Sequence, residues 1–255
     1  MDQIGIVIPT YNERENIGAL VQDLLTISRD LHVLVVDDNS PDGTGAVADE
    51  IAAGSSRVRV IHRHGKGGRG SACIEGFQRF LAEGEVDTIM EMDADFSHAP
   101  SDVPAILTAR DKADVVIGSR YVTRSKIVGW SIKRRIFSRL ANFFAGAILG
   151  VPINDYTNGF RCYTRDCLQA LDMQAIRSTG YIVLTEIAYQ IHRRGFTFHE
   201  VPTLFVNRQR GASNVSFKEI RNAFSSVLRL KLESMRHRER SGAPQVARAR
   251  QKKAR

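Results

Sequence analysis

Short apolar runs alternate with helical patterns along the first 120 residues of the chain. The runs, each flanked by turn residues, occupy residues 4–8, 33–36, 58–61, 88–92 and 115–117. Nearly continuous apolar runs of this length are typical of strands that are buried on both faces of a sheet. Strands and helices alternating at this spacing predict right-handed βαβ units. We therefore expect an α/β fold with a mostly parallel central sheet and helices on both faces.

The segment between the first two runs has the periodicity of an amphipathic helix. Its apolar residues recur at the spacing that forms one buried face: Ile17, Leu20, Val21, Leu24 and Leu25. Asn12 precedes this stretch, and Glu15 follows it three residues later. This spacing predicts an N-terminal helix cap at Asn12.

Two further amphipathic helices are predicted in the second half of the chain, at residues 131–150 and 217–231. The apolar positions of the first are Ile132, Ile136, Leu140, Phe143, Phe144 and Ile148, with Lys133, Arg134, Ser138 and Asn142 elsewhere. Such helices pack against a core by default, and basic ones can instead lie in a membrane interface. The longest apolar run, residues 140–153, is shorter than the roughly 20 residues of a membrane span. We therefore expect that the chain does not cross a membrane by itself.

The positive charge of the chain is concentrated towards its C-terminal end. The formal net charge is +8, and residues 236–255 contain eight Lys and Arg residues but a single acidic residue, Glu239. We expect a folded unit at residues 1–235 and a basic, disordered tail at residues 236–255. Such a tail is usually solvated, and an anionic membrane or a nucleic acid is the alternative partner.

Composition narrows the class of protein. With 43% hydrophobic and 25% charged residues, the chain is not a disordered, collagen-like or disulfide-scaffold protein. Its three cysteines form no C-x-x-C pair, and no basic-then-apolar leader opens the sequence. Both features favour a reduced, cytoplasmic location.

Two carboxylates, Asp93 and Asp95, directly follow the fourth apolar run. Parallel sheets bind ligands beyond the carboxyl ends of their strands, and two such carboxylates can share one divalent cation that bridges a diphosphate. The alternatives are a solvated acidic loop or a cap of the following helix. A pair of glycosidase carboxylates is disfavoured because the two residues are too close in sequence.

Polar residues also follow the first two runs, at residues 9–13 (PTYNE) and 36–44 (VDDNSPDGT). The acids of the second segment repel one another unless a polar or cationic group lies among them, and the base or ribose of a nucleotide would supply donors. Either loop alone is explained by turn chemistry. Three such loops on one sheet edge favour a binding site.

The glycine-rich segment 62–71 (HRHGKGGRGS) does not fit the phosphate-binding pattern G-x-x-x-x-G-K-[ST]. No G-x-G-x-x-G follows the first run either, which disfavours a dinucleotide oxidoreductase. His62 and His64 have no further ligand cluster nearby, so solvated histidines are favoured over a zinc site. We interpret the segment as a mobile cationic loop close to an anionic ligand.

Six motifs occur together, in one order, over about residues 3–235. They are residues 9–13 (PTYNE), 36–44 (VDDNSPDGT), 93–95 (DAD), 118–121 (GSRY), 155–161 (DYTNGFR) and 208–213 (RQRGAS). In this combination the chain resembles the dolichol-phosphate (polyprenol-phosphate) mannose synthases, which are inverting family-2 glycosyltransferases with a GT-A fold. The resemblance implies transfer of mannose from GDP-mannose to a polyprenyl monophosphate, with Mg²⁺ or Mn²⁺ as cofactor.

The resemblance also implies roles for individual residues. The positions that hold the base and ribose of the donor are Pro9, Tyr11, Glu13, Val36 and Asp38. The metal and diphosphate motif is Asp93, Ala94 and Asp95, with Asp95 the more direct metal ligand. The arginines that line the donor diphosphate and the acceptor phosphate are Arg120, Arg134 and Arg208. Of these residues, Asp93, Asp95, Arg120 and Arg134 are the candidate catalytic groups.

The chain departs from the family pattern at two positions of the donor site. Ser97 stands where the family often has Gln, and Asn214 stands where it usually has Lys. Loss of that lysine removes a charge directed at phosphate, so the donor stays open between GDP-mannose and another sugar nucleotide such as UDP-glucose.

Acceptor chemistry sets further expectations. A lipid monophosphate is already ionised near neutral pH because its second pKa is about 6, so we expect neither a dedicated general base nor a covalent enzyme nucleophile. The acceptor implies peripheral contact with the cytosolic face of a membrane, with a possible membrane subunit and no nucleic acid. A non-catalytic membrane or nucleic-acid adaptor is the rival class, and the acidic strand ends argue against it.

Overall fold

The computed structural model describes residues 3–178, 180–207 and 224–233. Its strands are β1 (Ile4–Thr10), β2 (Leu31–Asp37), β3 (Val58–His62), β4 (Thr88–Glu91), β5 (Val115–Ser119), β6 (Lys126–Val128), β7 (Arg161–Thr164), β8 (Phe198–Pro202) and β9 (Leu204–Val206). Its α-helices are α1 (Arg14–Ile27), α2 (Thr44–Gly54), α3 (Arg69–Glu83), α4 (Val103–Ala109), α5 (Ile132–Leu149), α6 (Arg165–Gln169) and α7 (Ile182–Arg193). Residues 224–233 are helical as well.

Seven strands form one sheet in the order β3-β2-β1-β4-β7-β5-β8, and β6 pairs with β9 in a separate ribbon. Neighbouring strands of the large sheet are parallel, except that β7 runs antiparallel between β4 and β5. All five predicted strands are present, and the mostly parallel sheet is confirmed. The strand order reverses at β1, since β2 and β3 lie on one side of it and β4 on the other. Open α/β sheets bind ligands at the carboxyl ends of the strands beside such a reversal.

Side chains alternate along the central strands between two hydrophobic clusters, one on each face of the sheet. In β1, Ile6 and Ile8 belong to the cluster that includes residues of α1, α2 and α4. Val7 belongs to the cluster that includes residues of α3, α6 and α7. Because both faces are covered, successive positions in the middle of these strands are apolar, which explains the nearly continuous runs in the sequence.

The beginning of α1 corrects the predicted helix cap. The residue at the cap is Glu13, and its side chain makes no capping hydrogen bond. Asn12 instead has a φ of +59°, a conformation that asparagine tolerates better than most residues. Its backbone N–H donates to Oγ of Ser40 at 3.1 Å. Asn12 therefore joins the β1–α1 turn to the loop after β2.

Helix α5 occupies the predicted segment, but its apolar stripe is not covered by the core. Four residues of this stripe are 56–76% exposed: Ile132, Ile136, Leu140 and Phe143. Asn142, expected on the polar side, is buried, and its Oδ1 accepts the backbone N–H of Tyr156 at 2.7 Å. The default of core packing is therefore wrong for these four residues. Phe144 and Ile148 do pack against the core.

Within residues 3–178, 180–207 and 224–233, no helix combines the length and the apolar character of a membrane span. Of the second predicted amphipathic segment, residues 217–223 lie outside the described part of the chain. The basic tail at residues 236–255 lies outside it as well.

Candidate active site

The carboxylates of Asp93 and Asp95 lie in a turn just past β4, beside the reversal in strand order. Both residues are half-buried, and Ala94 and Ser97 are buried. Oδ1 of Asp95 accepts the backbone N–H of Ser97 at 3.0 Å. Ser97 therefore shapes the turn through its backbone, a contact that the loss of a glutamine side chain does not affect.

His98 connects this turn to the loop before β7 through two hydrogen bonds. Its Nδ1 accepts the backbone N–H of Asp93 at 3.1 Å, so the ring proton lies on Nε2, which is 2.8 Å from Oδ1 of Asn158. Asn158 in turn donates to the carbonyl of Gly118. The imidazole stacks on Phe160 with 5.0 Å between the ring centroids. Sequence reasoning missed His98, whose only signal was its place three residues after Asp95.

The donor atoms of this turn fit a hard divalent cation. Carboxylate oxygens are the ligands that Mg²⁺ and Mn²⁺ prefer. Among the described residues, no group of three or more His, Cys, Asp and Glu side chains could hold a metal ion. Mg²⁺ is usually held by one or two carboxylates together with substrate phosphates. Asp93 and Asp95 therefore suit a cation that is bound together with a diphosphate.

A half-buried arginine, Arg69, which sequence reasoning also missed, lies against this pair. Arg69 is the first residue of α3, and its Nε donates to Oδ1 of Asp93 at 2.5 Å. Its Nη1 donates to Glu91 at 2.9 Å, and its Nη2 donates to the carbonyl of Gly159 at 3.1 Å. Burial by itself lowers the pKa of Arg69, but the charges of Asp93 and Glu91 raise it by more, so its pKa lies well above the usual value. Arg69 stays charged at any physiological pH.

Two acids, Asp37 at the end of β2 and Asp42 in the loop after it, find their hydrogen-bond donors within the chain. Asp37 accepts Oγ1–H of Thr10 at 3.0 Å and the backbone N–H of Ser40 at 3.0 Å. Asp42 accepts both the backbone N–H and the hydroxyl of Thr44, at 3.0 and 2.6 Å. Burial alone raises the pKa of Asp42, but these hydrogen bonds lower it by more. Both carboxylates hold turns, so neither requires a nucleotide to supply donors.

Asp38 anchors the glycine-rich loop. Its carboxylate accepts the backbone N–H groups of Gly67 and Gly68 at 2.9 and 2.6 Å, and it forms an ion pair with Arg63. Nζ of Lys66 lies 3.5 Å from the ring centroid of Tyr11. The cationic loop therefore lies against the residues that the resemblance assigns to the nucleoside of the donor.

The other predicted nucleoside positions lie on the neighbouring strand ends. Pro9 and Val36 are paired in the register of β1 and β2, and both are buried. Val36 belongs to a hydrophobic cluster. Glu13, at the start of α1, is half-buried, and its Oε2 accepts Nδ2–H of Asn16 at 2.8 Å. The predicted roles of Arg208 and Asn214 fall outside the described residues.

Arg120, directly after β5, is buried and paired with Asp155. Its Nε and Nη2 donate to the two oxygens of that carboxylate at 2.8 and 2.7 Å, and Nη2 also reaches Oγ1 of Thr157 at 2.8 Å. Burial alone raises the pKa of Asp155, but the charge and hydrogen bonds of Arg120 lower it below its usual value. The guanidinium carbon lies 5.3 Å from the ring centroids of both Trp130 and Phe205.

Trp130, the only tryptophan of the chain, lies against two of the three predicted arginines, Arg120 and Arg134. Arg134 lies in the first turn of α5 after the N-cap Ser131, and its guanidinium carbon is 4.1 Å from the centroid of the same indole. Its Nη1 donates to Oδ1 of Asn207 at 3.1 Å. The buried Nε1 of Trp130 has no hydrogen-bond partner among the residues that the structure describes. Arg120 and Arg134 therefore form a cationic pair on one aromatic ring, at the end of α5 where its exposed apolar stripe begins.

The model of the Glycosyl transferase family 2 matches residues 5–172. The polyprenol monophosphomannose synthase of Mycolicibacterium smegmatis is 43% identical over 224 residues, which is 87% of this chain and 84% of the relative. The undecaprenyl-phosphate mannosyltransferase of Micrococcus luteus is 41% identical over 223 residues, which is 88% of this chain and 91% of the relative.

Solved structures of the glucosyl-3-phosphoglycerate synthase of Mycobacterium tuberculosis share the fold. The complex with Mn²⁺, UDP and phosphoglyceric acid has a TM-score of 0.64 at 20% identity, covering 96% of this chain and 80% of that one. The complex with Mg²⁺ and UDP has a TM-score of 0.63 at 20% identity, covering 96% and 81%. The likeness confirms the expected GT-A architecture.

Proposed function

Because the chain belongs to glycosyltransferase family 2, we propose that it transfers mannose from GDP-mannose to a polyprenyl monophosphate, with inversion at the sugar. The names of its two mannosyl-transferring relatives support the lipid acceptor and the sugar. The observation that carries the proposal is the cationic pair of Arg120 and Arg134 beside the exposed apolar stripe of α5. A substrate with an anionic head and an apolar tail matches this arrangement.

On the donor side, Asp93 and Asp95 would hold a divalent cation at the diphosphate. Once bound, that cation supplies positive charge to the leaving nucleoside diphosphate. Tyr11 and the loop anchored by Asp38 lie at the adjacent strand ends, where they would contact the nucleoside. Strands β2, β1 and β4 are neighbours in the sheet, so a nucleoside and a diphosphate held by these residues would lie side by side along one sheet edge.

On the acceptor side, Arg120 and Arg134 would orient the lipid phosphate. Guanidinium groups match phosphate geometry, and two of them lower the repulsion between the acceptor phosphate and the donor diphosphate. One phosphate oxygen forms a bond to C1 of mannose while the bond from C1 to the diphosphate breaks, and the electron pair leaves with GDP. Attack opposite the leaving group inverts C1. The phosphate is already ionised, so the residues position it and do not need to deprotonate it.

An organic-phase assay tests this function directly. Purified protein is incubated with undecaprenyl phosphate and radiolabelled GDP-mannose or UDP-glucose, with Mg²⁺, Mn²⁺ or EDTA. We expect metal-dependent lipid labelling from GDP-mannose, and a thermal shift with GDP and Mn²⁺ that exceeds the shift with UDP. Labelling from UDP-glucose alone would reassign the donor. No labelled lipid with either donor would overturn the proposal.

Arg134→Ala is expected to raise the KM for polyprenyl phosphate at least about tenfold, because a charge-assisted phosphate contact is lost. GDP affinity should change less than about twofold, because the variant removes no contact with the nucleotide. A twofold change corresponds to less binding free energy than one hydrogen bond contributes. Lys133→Ala is the matched control, since it removes the same charge from an adjacent, exposed position of α5. Steady-state kinetics with both substrates varied is the measurement. Equal lipid KM values for Arg134→Ala and Lys133→Ala would reject the role.

We further propose that α5 rests on the cytosolic face of the membrane that contains the acceptor. Its exposed stripe is flanked by exposed Lys133, Arg135 and Arg139, the pattern of an interfacial helix. The helix at 224–233 touches α5 through Phe224 and Phe144, whose ring centroids are 4.6 Å apart. A groove of about 410 Å³ beside α5, lined in part by Tyr121, Phe143 and Ile153, offers space for the first isoprene units.

Vesicle co-sedimentation measures this contact. We expect binding to anionic vesicles that weakens at high salt and weakens further in a chain truncated after Arg240, because each basic residue near the surface contributes about 1 kcal/mol. Ile136→Asp combined with Phe143→Asp should lower binding at least about tenfold, since two apolar side chains no longer insert. Ala82→Asp, an exposed site on α3, is the control. Equal binding to neutral vesicles, or none to either, would point to a membrane subunit instead.

A further inference from the structure

We propose that Arg69 is a positioning residue of the donor site, which fixes the Asp93 carboxylate for the metal-bound diphosphate. The inference rests on the proposed function. Arg69 lies outside all six motifs that predicted the site. It contacts Asp93 from the start of α3, 24 positions earlier in the chain.

The geometry of the guanidinium group supports this role. Its three nitrogens donate to three different acceptors, on Asp93, Glu91 and Gly159. Because the group is planar and rigid, two of these hydrogen bonds define the orientation of the third. Glu91 is fully buried, and its other oxygen accepts the hydroxyl of Tyr163 at 2.7 Å. Asp93 is therefore tied to acceptors that cannot move without disturbing the core.

Charge leads to the same conclusion. Glu91, Asp93 and Asp95 place three carboxyl groups within five residues, and Glu91 is withdrawn from water. Without a cation between them, Glu91 and Asp93 repel each other, and Asp93 would turn away from β4. Arg69 neutralises the buried partner and keeps the Asp93 carboxylate in place before any metal arrives.

The chain leaves space for this side chain. A Cβ built on Gly159 would overlap Nη2 of Arg69, so glycine is required there while the guanidinium occupies its site. On the other side, Arg69 follows Gly68, whose N–H donates to Asp38 at 2.6 Å. The consecutive residues Gly68 and Arg69 therefore bind two different acids. Gly68 binds Asp38, on the proposed nucleoside side, and Arg69 binds Asp93, on the proposed diphosphate side.

Arg69→Leu alone leaves Glu91 as an unpaired buried charge and risks unfolding the protein. The informative variant is Arg69→Leu with Glu91→Gln, which removes that charge and keeps an acceptor for Tyr163. Binding of Mn²⁺ in the presence of GDP, and in parallel UDP, is measured by titration calorimetry and by the Mn²⁺ paramagnetic resonance signal. Glu91→Gln alone is the matched control, and thermal unfolding reports stability.

We expect the double variant to unfold near the wild-type temperature but to bind Mn²⁺ with the nucleotide at least about tenfold more weakly. Its KM for polyprenyl phosphate should stay within about twofold of the wild-type value, a change that corresponds to less free energy than one hydrogen bond contributes. Arg69→Lys should restore part of the Mn²⁺ affinity. Wild-type Mn²⁺–nucleotide affinity in a folded double variant would overturn this inference alone. Absence of such binding in the wild-type protein would overturn the proposed function as well.

Gly159→Ala gives an independent readout. In the wild-type background its methyl group displaces the guanidinium, so Mn²⁺–GDP affinity should fall as it does in the double variant. In the Arg69→Leu, Glu91→Gln background the same substitution should have little further effect, because the overlapping group is gone. Non-additivity of this kind identifies residues that act as one unit. Additive losses would contradict the role of Arg69.

Discussion

Asp95→Ala is expected to abolish transfer, with kcat falling at least about a thousandfold while the protein stays folded. In the proposed two-carboxylate site, loss of one ligand would weaken binding of the cation that neutralises the leaving diphosphate. Such electrostatic stabilisation is usually the largest single contribution to catalysis. The fold should survive because Asp95 is half-buried in a turn at a strand end, where it accepts a local hydrogen bond from the N–H of Ser97.

The measurement is lipid labelling at saturating Mn²⁺, together with thermal unfolding of the same preparation. Asp23→Ala, which removes an exposed carboxylate from α1, is the control and should keep full activity. Near-normal turnover by a folded, metal-saturated Asp95→Ala variant would falsify the assignment of Asp95 as a metal ligand.

The sheet could be predicted because each strand carries its own signal. Ile6, Val7 and Ile8 are apolar in succession, since clusters on both faces cover β1. Strand β7 has no such signal: it has four residues and begins with Arg161. Its antiparallel place between β4 and β5 depends on pairing with both neighbours, and such long-range pairing leaves no local pattern.

The surroundings of α5 show the limit of periodicity. The spacing of Ile132, Ile136 and Leu140 indicates that the helix has an apolar face, but not what covers that face. The structure buries Asn142 and leaves the apolar stripe exposed. On the buried side, Asn142 accepts the backbone N–H of Tyr156, and Phe144 and Ile148 pack against the core. The partners of this side lie elsewhere in the chain, so the periodicity of the helix does not indicate its orientation.

The site residues also divide into those that the sequence indicates and those that only the structure reveals. Asp93, Asp95 and Arg120 belong to recognisable motifs, and Arg134 was assigned from the family resemblance within the predicted helix 131–150. The roles of all four stay predictions. Their partners were not found from the sequence, because Arg69 and Asp155 contact them only across the fold. Asp155 lies within a recognised motif, but nothing local indicates that its carboxylate pairs with Arg120, 35 residues earlier.

Arg161→Met is expected to lower the free energy of unfolding by at least about 3 kcal/mol, because it leaves several buried carbonyl groups without a donor. Arg161 is fully buried and forms hydrogen bonds to the main-chain carbonyls of four residues: Asp155, Tyr156, Asn158 and Leu184. Methionine fills much of the volume and so limits any cavity. The lost hydrogen bonds therefore dominate the effect.

The substitution should also lower activity, because Arg161 holds the segment 155–161 in place. In that segment, Asp155 pairs with Arg120 and Asn158 forms a hydrogen bond with His98. Arg165→Met is the matched control. Arg165 also donates to two main-chain carbonyls, at 3.0 and 2.7 Å, but it is half-buried. Water can replace its hydrogen bonds, so we expect a loss of only about 1 kcal/mol. Urea unfolding of both variants, with lipid labelling at low temperature, is the measurement. Equal losses for the two arginines would mean that Arg161 acts through packing alone and that the 155–161 segment keeps its shape without the carbonyl network.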